Sequence, residues 1–215
     1  MMSKITSFLV FATISFSLAL SSVATAGVLV TTPGTKTINN VIISKSGILT
    51  IEGRINPLTT IAAGLRTKVL LVNLNVYVLE VLTSQVGTNV SDSLNTSGTT
   101  VLHLTFLRAV EAEKVQASFR DGLVANGVNL NDEAIIKFLT AVNESGDAKD
   151  SGKMTMAFEK LSDGTEVISY ESTNNTLKSI SAPAGTGAKI ISIWFGKSAD
   201  SGLEKLKAAL LAGLI

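Results

Sequence analysis

The stretch MTMAFEKLSDGTEVISY at residues 154–170 decides the architecture. Met154 to Phe158 alternates with the two-residue period of a strand, Asp163-Gly164 is a hairpin turn, and Val167 to Tyr170 is the return strand. Two helical patterns precede it. Ala112 to Ala125 carries Val115, Phe119 and Leu123 at fourfold spacing, with Asn126-Gly127 as a stop. Asn131 is the expected cap of a second helix, with Asp132 and Glu133 in its first turn and Ile135, Ile136, Phe138, Leu139 and Val142 inside. Strands therefore resume after a helical block, without a βαβ rhythm. This describes an α+β domain: an antiparallel sheet with helices on one face.

Working outward toward the N-terminus, Val101 to Leu107 reads as a strand with Leu102, Leu104 and Phe106 on one face and His103 on the other. Gln85 to Thr99, rich in Ser, Thr, Asn and Gly, reads as a surface loop. Lys68 to Leu82 holds no Gly or Pro and reads as one long strand. Its length at strand rise is about 50 Å, so a bend or bulge is expected within it. Alternation puts Asn73, Asn75 and Tyr77 on one face and Val72, Leu74, Val76 and Val78 on the other. Ile48 to Glu52, Ile38 to Ser44 and Val28 to Val30 are shorter strands, the last two split at Thr31-Thr32-Pro33-Gly34. Toward the C-terminus, Asn174-Asn175 turns into a strand at Thr176 to Ile180. A short apolar helix follows at Ala188 to Phe195, and an amphipathic helix closes the chain at Ser201 to Ala212.

The first 26 residues read as an address. Lys4 supplies a positive n-region, Ile5 to Val23 is apolar, and Ala24-Thr25-Ala26 is a small-x-small peptidase site with cleavage expected before Gly27. A retained anchor is the alternative, but the hydroxyl residues that dilute the segment favour cleavage. The expectation is one exported domain at 27–215, periplasmic in a Gram-negative cell, with no membrane span in the mature chain.

Composition excludes several chemistries. With no cysteine there is no disulfide, zinc knuckle, iron–sulfur cluster or thiol nucleophile. A single histidine leaves no paired-histidine metal site and little for a His-centred triad. No cofactor and no metal are expected. Removing Lys4 leaves basic and acidic residues in equal number, and the basic ones are scattered, so no nucleic-acid partner is expected.

Few motifs carry chemistry. Ala184-Gly185-Thr186-Gly187 is the nearest approach to a phosphate loop, and reads better as a helix entry. His103 lacks an identifiable acid–base partner and reads as a hydrogen-bonded sheet histidine. Glu111 and Glu113 stand where a helix dipole favours carboxylates. Arg66, in Gly64-Leu65-Arg66-Thr67-Lys68, is either an ordinary strand-end arginine or a planar fork aimed into a cleft for a carboxylate.

Three blocks in order then resemble a family. Gly64-Leu65-Arg66-Thr67-Lys68-Val69 is the first. Leu102-His103-Leu104-Thr105-Phe106-Leu107-Arg108, running into Ala112-Glu113-Lys114-Val115, is the second. The third is Ile193-Trp194-Phe195-Gly196-Lys197 with Ala199-Asp200 and Leu206-Lys207. Together they resemble the bacterial chalcone isomerase-like proteins, exported relatives of the plant chalcone isomerases, over Ile48 to Gly213. The resemblance implies an open-faced β-sandwich, a large antiparallel sheet with helices packed over one face and a ligand cleft between them. It also implies either an intramolecular lyase, in which an arginine steers a phenolate, or a non-catalytic protein whose arginine takes a fatty-acid carboxylate.

Position by position, the resemblance places the family's arginine on Arg66, its strand threonine on Leu74, its tyrosine on Glu111, its asparagine on Ser118 and its late serine or threonine on Ile193. Tyr77 stands near a further tyrosine position. The usual bacterial Phe-Phe-Lys-Val-Tyr stretch is replaced by Leu70-Leu71-Val72-Asn73-Leu74. Losing the polar groups that orient water and a substrate ketone costs orders of magnitude in rate. An aliphatic cleft with one arginine suits an amphipathic acid instead. The expected function is non-catalytic binding of a fatty acid or similar hydrophobic carboxylate, with Arg66 as anion anchor and Leu74, Tyr77, Glu111, Ser118 and Ile193 around the ligand. The alternatives are an isomerase using Arg66, Tyr77 and Glu111, or an interaction domain whose cleft is filled by its own side chains.

Overall fold

The structure, a computed structural model, describes residues 27–69, 73–85 and 98–213. The expected signal segment, and nearly all of the expected loop before Thr99, lie outside the described residues. Among the described residues eight strands form one sheet in chain order, each antiparallel to the next. They are β1 (Leu29–Ile38), β2 (Val41–Ile51), β3 (Arg54–Val69), β4 (Asn73–Thr83), β5 (Thr99–Phe106), β6 (Lys153–Lys160), β7 (Glu166–Glu171) and β8 (Leu177–Ala182). Helices α1 (Ala112–Ala125) and α2 (Glu133–Glu144) interrupt the meander between β5 and β6, and α3 (Thr186–Phe195) and α4 (Ser201–Leu211) follow β8. The expected α+β class holds.

The first half of the sheet departs from the sequence reading. β1 runs through Pro33-Gly34 instead of breaking there. It is an edge strand, which can do without proline's missing donor, and its pairing with β2 shifts register at Pro33. The chain turns instead at Asn39-Asn40, both at positive φ (47° and 65°), a geometry that asparagine tolerates. Lys68 to Leu82 is not one strand. Val69 pairs with Asn73, so the chain reverses between them and the stretch is shared by β3 and β4. The intervening Leu70-Leu71-Val72 has none of the residues that mark a turn. In α2 the N-cap residue is Asp132 rather than Asn131, and Ile136 is exposed while Ile135, Phe138, Leu139 and Val142 are buried.

Both faces of the sheet are covered. On one, Leu79, Val81, Leu102, Leu104, Met154, Met156 and Tyr170 pack against Val115, Phe119, Phe138, Trp194 and Leu206 of the four helices. On the other, Leu49, Ile51 and Leu58 of β2 and β3 pack on Leu82, Val101 and Ala157 of β4, β5 and β6. β2 and β6 are remote in strand order, so this contact requires the sheet to curl back over itself. Arg54 and Asn56 close the fold-over by donating to the buried Glu159 of β6, at 3.0 Å each. His103 lies on this curled side, 3% exposed, with Nδ1 3.0 Å from the Thr155 hydroxyl. Burial, aided by the Lys153 charge, pushes its pKa down to about 3, so it is neutral at physiological pH. It is the hydrogen-bonded sheet histidine expected.

The helix layer is tight where α1 meets α3. A Cβ added at Gly122 would stand 2.8 Å from Cγ2 of Ile193. In a free helix Gly→Ala stabilises by about 1 kcal/mol. Here Gly122→Ala is expected to destabilise by about 1–3 kcal/mol, because the overpacking exceeds the propensity gain. Urea unfolding of the two proteins measures the sign, and a stabilised variant contradicts the close contact.

Candidate functional site

A cleft of about 640 Å³ opens where the ends of β3, β4 and β5 meet the first half of α1. Its strand side carries Arg66, Lys68, Leu74, Val76 and Phe106, and its helix side carries Glu111, Lys114, Val115, Ser118 and Asp121. A β-bulge builds the strand side. Arg66 pairs with Tyr77 but Thr67 pairs with Asn75, leaving Val76 as the extra residue. The strict alternation expected from sequence therefore fails at this point. Leu74 and Val76 line the cleft, and Val76 packs against the same cluster as Tyr77.

Four of the six expected residues, Arg66, Leu74, Glu111 and Ser118, line this cleft. The other two are core. Tyr77 is buried, its hydroxyl accepts from Trp194 Nε1 at 2.9 Å, and its ring meets Phe106 edge-on at 5.7 Å. Burial pushes its phenol pKa up, against the pull of the Arg66 charge. Ile193 is 3% exposed beneath α1. The sequence reading puts both around the ligand, whereas the structure holds both within the helix–sheet layer. Glu111 is the N-cap residue of α1, and its exposed carboxylate pairs with Lys114 at 2.8 Å.

Arg66 is where the structure most changes the sequence reading. Its side chain is 4% exposed, and its fork is already closed. Nη1 and Nη2 donate to the two carboxylate oxygens of Asp200 at 2.9 and 2.5 Å, and Nη1 also donates to the Thr67 carbonyl. The fork that the sequence reading offers to a ligand carboxylate is engaged internally in this structure. Two glycines make room for the pairing. A Cβ at Gly64 would stand 2.7 Å from Cδ1 of Leu206, and one at Gly202 would strike the Thr67 carbonyl and the Arg66 fork. Glycine at both places lets α4 press onto β3. Asp200 is the N-cap of that helix, accepting from the Gly202 and Leu203 N–H groups at 2.9 Å each. Partial burial pushes its carboxyl up, but the Arg66 hydrogen bonds and the two backbone donors outweigh this and hold it below its usual range.

Two cations at the strand side are differently placed. Lys68 and Arg108 are exposed at the rim, and neither has an ion-pair partner among the described residues. Acidic residues sit opposite, and one of these, Asp147, accepts from the Ala112 N–H at 2.9 Å. The glycine pair at 185 and 187 is likewise occupied from within, its N–H groups donating to Glu166 at 2.8 and 2.6 Å, as a helix entry should be. No cluster of metal-ligating side chains occurs among the described residues, and no helix there is long and apolar enough to cross a membrane. Sequence reasoning missed Lys68, Arg108 and the role of Asp200. An Asp before a helix signals a cap, but nothing local reveals a partner so remote in the chain.

The Arg66–Asp200 pair makes a double prediction. Asp200→Asn keeps a good cap but removes the charge, and is expected to cost about 2–3 kcal/mol, below the range for breaking a fully buried pair because Asp200 is partly exposed. Since its carboxyl is held low in the fold, the pair's contribution is present above the unfolded Asp pKa of about 4 and fades as pH falls through the folded value. Urea midpoints at neutral and strongly acid pH should therefore converge for the two proteins in acid. A constant difference overturns the assignment.

No family model matches the sequence, and no curated protein matches it. Solved structures do match. The fatty-acid binding protein AtFAP1 of Arabidopsis thaliana is similar with a TM-score of 0.51 at 15% identity, over 76% of this chain and 95% of that one. At that identity the likeness is one of fold. The large antiparallel sheet with helices over one face is the chalcone isomerase-like open-faced β-sandwich.

Proposed function

We propose that this chain is a non-catalytic binding protein for a fatty acid or a similar hydrophobic carboxylate, working outside the cytoplasm. The observation that carries the proposal is the cleft, where Leu74, Val76, Phe106 and Val115 meet and whose strand side is edged by Lys68 and Arg108, two cations without an ion-pair partner among the described residues. About 640 Å³ lies within the usual range for a small-molecule site. Leu74, Val76, Phe106 and Val115 bury an aliphatic tail, at about 0.8 kcal/mol per CH₂. The head group meets Lys68 and Arg108 at the rim. Arg66 anchors the anion only by exchange, the ligand carboxylate taking the place of Asp200. The fold shared with a fatty-acid binding protein supports this reading.

The isomerase alternative loses its geometry. Tyr77 is sealed in the core and bonded to Trp194, while Glu111 is at the solvent edge paired with Lys114. The filled-cleft alternative has one observation in its favour, the burial of Arg66. The open volume beside that arginine argues the other way.

Titration of lipid-stripped protein with a long-chain fatty acid, and with the alcohol of equal length, tests the proposal. The acid should bind at least about tenfold more tightly than the alcohol, a difference of about 1.4 kcal/mol. Joint Lys68→Ala and Arg108→Ala should remove that preference, and Ser118→Trp, which fills the cleft, should abolish binding of both. Absence of binding, or binding indifferent to all three substitutions, overturns the reading and leaves the interaction domain.

A further inference from the structure

The N-terminal side of the domain holds a buried carboxylate short of partners. Glu171, at the end of β7, is 7% exposed. Both its oxygens accept from a single donor, the Val28 N–H, at 3.0 and 3.1 Å. No cation pairs with it among the described residues. A carboxylate offers about four lone-pair sites, so one shared N–H leaves it under-satisfied where water is scarce. Burial accordingly raises its pKa.

The residue beside that carboxylate is Gly27. A Cβ built there would stand 3.0 Å from Oε2 and 3.3 Å from Oε1, so the Gly27 backbone lies against the acid. The next residue is fixed from both sides: the Val28 carbonyl accepts from Thr50 at 2.8 Å, and its side chain packs on the curled-side core. Gly27 is also the first residue after Ala24-Thr25-Ala26. We infer that cleavage of the Ala26–Gly27 peptide bond creates the missing partner of Glu171, and that the mature N-terminus is a buried-acid ion pair built into the fold. The step is hydrolysis by a signal peptidase. Water adds across the bond, Ala26 takes the new carboxylate, and the Gly27 nitrogen leaves as an ammonium. That ammonium is one bond from a Cα already against the carboxylate. Freed of the preceding residue, and with no side chain to obstruct it, it turns onto Oε2. Before cleavage the same nitrogen is a neutral amide and cannot supply the charge.

All described strands and helices lie within residues 27–213, so a chain of 27–215 carries every described element and can be tested directly. Three forms serve: 27–215 with a free Gly27 amine, the same chain Nα-acetylated, and a form extended to keep Ala24–Ala26. The free form should melt about 3–6 °C above the other two, an increment of the size expected for a partly buried ion pair in a domain this large. In Glu171→Gln the three should melt together. N-terminal sequencing of protein exported from a bacterial host should begin at Gly27. Equal melting of free and acetylated chains, which needs no variant, overturns the inference, as does a mature chain that begins elsewhere.

Discussion

A sheet that is apolar on both faces must hide both from water, and every layer of this protein answers that demand. The chain has no disulfide to hold it, so stability rests on burial. Four helices cover one face. Among the described residues no helix covers the other, and the sheet supplies its own cover by curling β1, β2 and the first half of β3 over β4 to β6. Curling brings polar groups inward as well. Glu159, Glu80 and His103 are buried on that side, and each has a hydrogen-bond partner: Arg54 with Asn56, the Ser44 N–H, and Thr155 respectively. Those partners are what make the burial tolerable.

The cleft is a consequence of the same layering. The helix layer stops short of the ends of β3, β4 and β5, and the bulge at Val76 turns extra aliphatic surface toward the gap. At its edge the chain faces a second problem, a guanidinium out of water. Asp200 solves it with two hydrogen bonds, while also capping α4. One carboxylate thus neutralises a buried cation, ends a helix and fixes that helix against β3. Internal carboxylates recur in this fold at helix entries, with Glu166 on α3 and Asp147 on α1. This economy explains why a glycine pair and an arginine that resemble anion sites in sequence are both occupied from within.

How much was legible follows the range of the interactions. The β6–β7 hairpin, helix α1 to the residue, and the core face of β5 were read from periods of two and four and from turn residues, because those signals are local. The antiparallel pairing of β3 with β4 is not legible, since Leu70-Leu71-Val72 looks like strand in sequence and only the pairing of Val69 with Asn73 shows that the chain reverses. The same holds for the site. Arg66, Leu74, Glu111 and Ser118 were placed at the cleft from sequence. Tyr77 and Ile193 lie in the core instead, because a bulge and a close helix crossing set which way they face.

The sequence by itself determined the class of the fold, the positions of the helices, the absence of thiol and paired-histidine chemistry, and the aliphatic residue at position 74 of the cleft wall. These follow from composition and from side-chain period, which any short window of chain displays. Tertiary structure alone decided that Arg66 is paired, that Lys68 and Arg108 stand at the rim with no ion-pair partner among the described residues, and that Glu171 sits against Gly27. Those are meetings between residues more than a hundred positions apart, or the want of one. Whether two charges meet depends on how the sheet curls and where the helices land, which no local pattern records.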